Sequence, residues 1–474
     1  MPSVISVRRP RSRSHADGGS RARARQSIAR SYQLILAGSL SRAPNRCFNP
    51  AGKRGEAHRG DDVTTPSRGR NDMLFASHID RRRALNLAAG AGLAAGGLKF
   101  GVGRAGAQEV FRLGWVRPTT GRLASSFAPL FVGGLIAIDE INAAGGILGR
   151  KIVRVEEDDE GSPAKQPGII RKLSDSGVSY LCGPAGSSQA LASLEAATAA
   201  QIIQTGSALA AALANGVKYP YHYQLTYNTD QQAAVIASHA VKALKGQKIG
   251  ILHEATAFGE QGAMATVAEL QKLGLNPATV QSFPADVASF DPYIANLQKA
   301  GSDVLVAWLA NISSVAMAFR SMNSLGWSPP VVGHNGLFAD GLFDLVPIEL
   351  LQNVVCTYYK AMTYTATESP GARQVAYARK IAQYPEAKAW AVNVVVQSHY
   401  DFLHLLKKTI EQEQTFDVAK IKAALDRTRD FDGIVGKINF TPENHCGVSI
   451  GDMTLAKLAS GRDPKAQGIF RERA

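Results

Sequence analysis

The chain has little cysteine, four residues among 474, and it lacks the short motifs that mark most enzymes. It contains no phosphate-binding lysine loop, no nucleophile elbow and no zinc-ligand spacing. His253 and His334 have no Cys, His or carboxylate at a metal-ligand distance in sequence. The sequence therefore predicts no metal, no cofactor and no enzyme, and leaves open only a catalytic pair assembled from distant segments.

The few cysteines do not define a disulfide framework. Cys47 belongs to the N-terminal region, which leaves Cys182, Cys356 and Cys446. One disulfide would be permitted in an oxidising compartment. Cys182 lies in an apolar run and is predicted to be a buried thiol. A Cys356–Cys446 disulfide is conceivable, and the sequence alone does not decide it.

Although the net charge of the chain is +14, the part after residue 107 has no excess of positive charge. Residues 1–107 hold 20 Lys or Arg and 6 Asp or Glu, and the remainder holds 33 of each sign. A nucleic-acid-binding domain needs a basic face on its folded part, so no nucleic-acid partner is predicted. The Arg-, Gly- and Ser-rich residues 1–72 predict a disordered basic extension. They form either a nucleic-acid-binding arm or sequence upstream of a true start at Met73.

The apolar stretch 84–97 is too short and too rich in Gly and Ala to span a membrane. It follows Arg81-Arg82-Arg83 and precedes Ala105-Gly106-Ala107, a small-x-small cleavage site. Residues 73–107 are therefore predicted to be an export signal with cleavage after Ala107, which places the protein in the periplasm. The arginines resemble a twin-arginine signal, but flanking positions depart from that pattern, so the Tat and Sec routes both stay open.

After residue 107, short apolar runs alternate with patterns of helical period. The first predicted strands are Phe111–Val116, Ile152–Val155, Ser179–Cys182 and Ile202–Thr205. The pattern then restarts with a helix from Thr229. This order predicts an α/β fold with two Rossmann-like, doubly wound lobes. Late strands suggest that the chain crosses back between lobes. The predicted bounds are 108–228 plus 360–430 for the first lobe and 229–359 plus 431–465 for the second.

Three motifs carry a family resemblance. Residues 137–149 read AIDEINAAGGILG and are followed by the acidic run Glu156–Asp159. Phe258-Gly259-Glu260 follows a predicted strand, and Gly183–Ser188 forms a Ser-rich loop. From about residue 111 to residue 458, the chain resembles the branched-chain amino-acid-binding, LIV-type family of periplasmic solute receptors. The resemblance implies a type I periplasmic binding fold with a three-crossover hinge, a small-molecule ligand, no catalysis and delivery to an ABC permease in the inner membrane. A monomer is expected.

The resemblance places the ligand between the lobes, beyond the carboxyl ends of the strands. Ser187 and Ser188 lie at a strand-to-helix turn, where free N–H groups and the helix dipole favour an anion. Their alternative role is capping that helix. For Phe258 and Trp308 the alternative is core packing, which is favoured for Trp308. The full set of predicted ligand contacts is Ser126, Phe127, Ser187, Ser188, Ser207, Ala208, Phe258, Trp308, Asn311 and Asn335.

Two positions depart from the family pattern. Leu209 falls where the family has a ligand-binding threonine, and Asn335 falls where it has the acid that binds an ammonium group. Because asparagine cannot neutralise an ammonium, burying one there would be costly. The sequence therefore predicts a carboxylate without an amine, aromatic or short and aliphatic, or a small amide. Branched-chain amino-acid binding is one alternative. A ligand-sensing module for a membrane receptor is another.

Overall fold

The computed structural model describes residues 109–338, 341–384, 387 and 397–474. The predicted extension 1–72 and export signal 73–107 lie outside these residues. So does the beginning of a helix predicted from Ala389 to Gln412, which the structure describes from Gln397 onward.

The strands and helices alternate along the chain. The strands are β1 Phe111–Arg117, β2 Ile152–Asp158, β3 Tyr180–Cys182, β4 Ile203–Gly206, β5 His222–Gln224, β6 Ile249–Glu254, β7 Thr279–Phe283, β8 Val304–Trp308, β9 Val331–Gly333, β10 Val354–Tyr359, β11 Thr363–Tyr364, β12 Phe431–Asp432, β13 Lys437–Ile438, β14 Met453–Lys457 and β15 Arg471–Glu472. The α-helices with bounds inside the described ranges are α1 Ala124–Phe127, α2 Val132–Ala143, α3 Gln166–Asp175, α4 Ser187–Ala199, α5 Thr229–Ser238, α6 Ala257–Lys272, α7 Asp291–Lys299, α8 Ile312–Ser324, α9 Leu342–Leu345, α10 Ala372–Gln383, α11 Gln397–Glu413 and α12 Val418–Leu425.

The first sheet is parallel throughout, in the order β2-β1-β3-β4-β5. Its interior strand β1 buries Leu113, Trp115 and Val116 completely. Helix α2 packs between this sheet and α11, and the approach depends on Gly134, where a Cβ would lie 2.6 Å from the Trp115 ring. The connections change direction between β1 and β3, which is the topological switch point of this sheet.

The second sheet has the order β7-β6-β8-β9-β10-β14, with β14 antiparallel at its edge and the other strands parallel. Its interior strands β6 and β8 are buried along their whole length. Continuous apolar strands are typical of parallel sheets that helices cover on both faces. The switch point lies between β6 and β8. The prediction of an α/β fold with two doubly wound lobes is confirmed.

The chain passes between the two lobes three times. The first passage follows β5, at residues 225–228, and leads into α5, which packs on α6 of the second lobe. The second lies between β11 and α10, at 365–371, and α10 packs on α2 of the first lobe. The third is near 447–452, just before β14.

The position of the third passage differs from the predicted boundary at residue 431. Residues 431–446 pack against the first lobe, since the Ile434 N–H donates to the Asp401 carboxylate at 2.9 Å and the Gln224 N–H donates to the His445 carbonyl at 2.8 Å. The sequence pattern of residues 436–458 predicts a hairpin-like end, but β13 pairs with β12 and β14 pairs with β10 of the second sheet. At the second passage, β11 pairs with β15 beside the second sheet. Residues 363–364 therefore lie with the second lobe, whereas the prediction assigned them to the first.

One helical stretch, Ala124–Ala143, is long and apolar enough to cross a membrane by length and composition. It consists of α1, a 3₁₀ turn and α2. In the most apolar window of this stretch, 61% is buried inside the protein. Interior helices of compact lobes have this composition too, and its contacts with β1 and α11 account for the apolar surface.

Three cysteines lie in the described part of the chain, and all are free and buried. Burial raises the pKa of the Cys446 thiol to about 12 and also raises the pKa of Cys182 and Cys356. Cys356 lies on β10 of the second sheet, whereas Cys446 pairs with Gln224 of the first. The disulfide that the sequence left open is not formed, and the buried thiol predicted at Cys182 is confirmed.

Candidate functional site

A cleft of about 670 Å³ lies between the lobes, at the carboxyl ends of strands from both sheets. The first lobe contributes Ser187, after β3, and Ser207, after β4. The second lobe contributes Glu254, the last residue of β6, and Asn311, after β8. These positions adjoin the switch points of the two sheets, where parallel α/β sheets bind their ligands.

Ser187 is the first residue of α4 and lines the cleft. Its Oγ accepts hydrogen bonds from the N–H groups of Leu209, at 3.2 Å, and Ala210, at 3.0 Å. The hydroxyl proton can still be donated to a ligand, because a serine oxygen accepts through its lone pairs. The alternative role as a helix cap is not realised, since Gly186 occupies the cap position. Ser187 and the N-terminus of α4 together form a site suited to an anion.

Two other predicted serines join the lobes across the cleft. Ser188 Oγ accepts a hydrogen bond from the Ala257 N–H at 3.1 Å. Ser126 Oγ accepts one from the Ile312 N–H at 3.4 Å. In each pair the serine belongs to the first lobe and its donor to the second. The structure is therefore a closed arrangement, and both serines contribute to closure as well as to the cleft lining.

Asn311 holds the loop after β8 in place. Its Oδ1 accepts hydrogen bonds from the N–H groups of Ser313, at 2.9 Å, and Ser314, at 3.2 Å, and so caps α8. Its Nδ2 lies 3.5 Å from the carbonyl oxygen of Arg122 in the first lobe. Asn311 thus acts as a helix cap and a contact between lobes, and it also lines the cleft.

Three aromatic rings in contact form the second-lobe side of the cleft. The Phe258 ring lines the cleft, with its centroid 4.6 Å from that of His334. His334 stacks in turn on Trp308, with centroids 5.7 Å apart and planes 7° apart. Trp308 is fully buried, donates its indole N–H to Thr266 Oγ1 at 3.0 Å and does not line the cleft. Phe258 thus faces the cleft, and Trp308 supports it from the core.

His334 is an uncharged member of the cleft lining. Its Nδ1 accepts a hydrogen bond from the Gly336 N–H at 3.0 Å, which places the ring proton on Nε2, 2.7 Å from the Leu309 carbonyl oxygen. Burial lowers the pKa of His334 to about 4. An unfolded histidine titrates near pH 6.5, so between about pH 6.5 and 4 the unfolded chain binds a proton that folded His334 does not. The stability contributed by His334 is full above pH 6.5 and falls as the pH drops through that range.

We expect the His334 imidazole to titrate with a midpoint near pH 4 in the folded protein. The measurement is an NMR titration of the histidine side chains between pH 7.5 and 4, with the His334 signal assigned from a His334→Gln variant. Free histidine added to the same sample provides the internal control. A His334 midpoint at or above 6 would show that the ring is solvated and would contradict its burial against Trp308.

The structure also reveals a cleft residue that the sequence reading missed, Glu254. It is 8% exposed. Its Oε1 accepts a hydrogen bond from Thr256 Oγ1 at 2.7 Å, and its Oε2 accepts one from the Ala310 N–H at 2.9 Å. Burial raises the pKa of Glu254 above its ordinary value, and the positive charge of Arg122 opposes the shift. The feature of the sequence that could have identified Glu254 is an acidic residue at the carboxyl end of a buried parallel strand.

Other charged groups lie nearer the mouth of the cleft. Arg122 lines it from the first lobe and is exposed. Asp344 lines it from the second lobe and pairs with Arg462 at 2.9 Å. In the described part of the chain, no group of three His, Cys, Asp or Glu side chains is placed to hold a metal ion.

Eight of the ten predicted contacts line the cleft: Ser126, Phe127, Ser187, Ser188, Ser207, Ala208, Phe258 and Asn311. Trp308 and Asn335 do not. Asn335 is fully buried behind the lining, and its N–H donates to Gln232 Oε1 at 3.2 Å. Leu209, in contrast, does line the cleft.

The profile of a periplasmic binding protein family matches residues 110–463. The chain belongs to this family. The periplasmic binding proteins similar to it include the Leu/Ile/Val-binding protein homolog 3 of Brucella melitensis biotype 1. That protein is 24% identical over 335 residues, which cover 69% of this chain and 86% of the relative. The predicted LIV-type family is confirmed.

Solved periplasmic binding proteins share the fold. A type 1 periplasmic binding protein from Bordetella pertussis Tohama I is 22% identical, with a TM-score of 0.67, and the match covers 74% of this chain and 96% of that one. An ABC-transporter solute-binding protein from R. palustris, in complex with 4-hydroxybenzoate, is 16% identical, with a TM-score of 0.63, and the match covers 74% and 93%. Members of this family are solute-binding proteins that work with ABC-transporter permeases, and the family is periplasmic.

Proposed function

We propose that this periplasmic binding protein captures a small carboxylate that lacks an α-amino group and delivers it, as a monomer and without catalysis, to an ABC permease in the inner membrane. The observation that carries the proposal is the Ser187 hydroxyl at the start of α4, beside Leu209 rather than the threonine that the family resemblance places there. In this proposal, residues 73–107 direct export and are removed after Ala107.

The ligand carboxylate is placed at Ser187, where a hydroxyl proton and the helix N-terminus favour negative charge. An α-ammonium on the same ligand would lie next to that carboxylate, close to the apolar Leu209. Asn335, at the position of the family's acid, is buried behind the lining and carries no charge. Burying an ammonium without a counter-charge costs several kcal/mol, which is enough to remove useful affinity.

The remaining lining favours an apolar ligand body. A volume of about 670 Å³ is within the usual range of small-molecule sites. The side chains that would surround the ligand body are Phe127, Leu130, Phe258, Phe283 and Ile312. An aromatic or short aliphatic acid fits this combination of one anion site and several apolar surfaces.

A branched-chain amino acid is the second candidate, and two observations favour it. The relative from Brucella melitensis is named a Leu/Ile/Val-binding protein homolog. Glu254 also places a carboxyl group in the cleft lining, on the second lobe. This acid already accepts two hydrogen bonds, and it lies on the lobe opposite Ser187.

Capture is proposed to proceed by hinge closure. The ligand binds the first lobe, the passages at 225–228, 365–371 and 447–452 flex, and hydrogen bonds such as Ser188 to Ala257 form as the lobes meet. A ligand shifts this equilibrium only if it binds the closed form more tightly than the open form.

The test is a thermal-shift screen of the purified protein, followed by calorimetry on every hit. The panel contains leucine and valine, aromatic and short aliphatic carboxylates, dicarboxylates and amides. A ligand at ~100 times its dissociation constant adds roughly 2.7 kcal/mol of stability, which is readily measured. We expect monocarboxylates without an amine to stabilise the protein and leucine to have no effect. Tight binding of leucine or valine, with no response to the other acids, would refute the proposed ligand class.

A further inference from the structure

The charged groups of the cleft are distributed unequally between the two lobes. The first-lobe side combines hydroxyl groups, the N-terminus of α4 and the Arg122 guanidinium. The second-lobe side carries the Glu254 carboxyl group, more than nine-tenths buried and part of the lining. A ligand held between the lobes therefore meets groups that favour an anion on one side and a hydrogen-bond acceptor on the other.

The Glu254 carboxylate keeps unused capacity to accept hydrogen bonds. Its two oxygens offer about four acceptor sites in total. Among the residues that the structure describes, one bond comes from Thr256 Oγ1 and one from the Ala310 N–H, one to each oxygen. These bonds fix the carboxylate at the junction of β6, α6 and the loop after β8. A buried carboxylate gains free energy from each further donor that reaches it, because hydrogen bonds to charged groups are the stronger ones.

We propose that Glu254 determines which carboxylates this cleft accepts, by accepting a hydrogen bond from a hydroxyl group on the part of the ligand that faces the second lobe. The inference rests on the proposed function, since it takes the ligand carboxylate to be held at Ser187, and Ser187 and Glu254 line the cleft from opposite lobes. The ligand class is then a hydroxylated monocarboxylate. A second carboxylate at that point would be repelled by Glu254, and an apolar end would leave its acceptor sites unused.

Neighbouring side chains support a flat, hydroxylated ligand end. Phe258 and Phe283 line the same side of the cleft. Gly259 lets α6 begin directly against Glu254, since a Cβ there would lie 2.2 Å from the Glu254 carbonyl oxygen. The acid is thus held by backbone packing in a partly aromatic surrounding. This position is distinct from Asn335, where the family resemblance places an ammonium-binding acid.

The experiment measures dissociation constants by calorimetry for three probes: 4-hydroxybenzoate, 4-fluorobenzoate and terephthalate. The fluoro compound has nearly the same shape as the hydroxy compound but no proton to donate. We expect the unmodified protein to prefer 4-hydroxybenzoate over 4-fluorobenzoate by about 10-fold or more, the value of one hydrogen bond to a charged group. Terephthalate is expected to bind more weakly than either.

Two variants assign the preference to Glu254. In Glu254→Gln, the ratio of the two dissociation constants is expected to fall below about threefold, because the amide is a weaker acceptor. The matched control is Glu260→Gln, which removes the same charge from an exposed residue on α6 that does not line the cleft. Its ratio should equal that of the unmodified protein. The probe series on the unmodified protein provides a test that does not depend on the folding of Glu254→Gln.

Four results would overturn the inference. Equal affinities of the unmodified protein for the hydroxy and fluoro probes would leave the proposed function intact and refute the role of Glu254. So would a hydroxyl preference that survives in Glu254→Gln. Binding of leucine that is lost only in Glu254→Gln would show that Glu254 holds an ammonium. If no carboxylate binds the unmodified protein, the proposed function itself fails and the inference fails with it.

Discussion

Replacing Gly259 with alanine is expected to lower the free energy of unfolding by roughly 2–3 kcal/mol and to abolish ligand binding. A Cβ at this position would lie 2.2 Å from the carbonyl oxygen of Glu254 and 2.9 Å from Cγ of the same residue. The oxygen belongs to the backbone of β6, so the clash can be relieved only by moving the start of α6. That movement displaces Phe258 and Thr256, which line the cleft. Urea unfolding and calorimetry with a ligand from the screen measure the two effects.

The matched control for this substitution is Gly168→Ala. Gly168 is an exposed residue of α3, and nothing lies within 4 Å of a Cβ built there. Alanine is the better helix former, so this variant should gain about 0.5–1 kcal/mol. If Gly259→Ala is as stable as Gly168→Ala and still binds ligand, the close packing of α6 on β6 is not required for the site.

Replacing Ser187 with alanine is expected to reduce stability by about 2 kcal/mol and affinity for the ligand carboxylate at least ~10-fold. The substitution removes the oxygen that accepts from the Leu209 and Ala210 N–H groups, both of which are buried. It also removes the hydroxyl proton proposed to bind the carboxylate. Unfolding in urea and calorimetry with the best monocarboxylate measure the two losses.

Ser188→Ala is the control for Ser187→Ala, because it removes a hydroxyl from the adjacent residue. Ser188 accepts one hydrogen bond, from the Ala257 N–H of the other lobe. Loss of this hydrogen bond should leave the free energy of unfolding within about 0.5 kcal/mol of that of the unmodified protein. It should weaken binding only because the closed form is less populated. Equal effects of the two substitutions would show that Ser187 has no particular role in anchoring the ligand.

Much of the fold could be predicted from the sequence because the signals are local. Short apolar runs bounded by glycine and polar residues located β1 and β4 within one residue of their observed ends. The strand–turn–helix pattern at Gly183–Ser188 then located the cleft, since the carboxyl ends of parallel strands share one edge. Eight of the ten proposed contacts line that edge for this reason.

The remaining features depend on contacts between distant parts of the chain. The strand β5 has only three residues, His222–Gln224, and its polar ends carry no clear alternation. The burial of Asn335 behind the cleft lining follows from what packs over it, which the sequence pattern does not reveal. Trp308, in contrast, lies in the core, the alternative that the sequence favoured for it. The sequence does not single out Glu254, because the family motif beside it, Phe258-Gly259-Glu260, contains a different acid. That acid, Glu260, is exposed. The path of residues 431–446 is set by Asp401 and β5, far away in sequence.

The three passages between lobes also determine when each lobe can be completed during protein synthesis. The first lobe needs α11 and α12, made more than 200 residues after its first strand, and the second needs β14 to cover the edge of β10. Contacts of such long sequence separation slow folding, and they cannot form while the partner segment is still inside the ribosome. A nascent chain of this protein therefore holds two incomplete sheets until nearly all of it has been made. During that delay the unpaired edges of both sheets stay open to chaperones and to pairing with other chains.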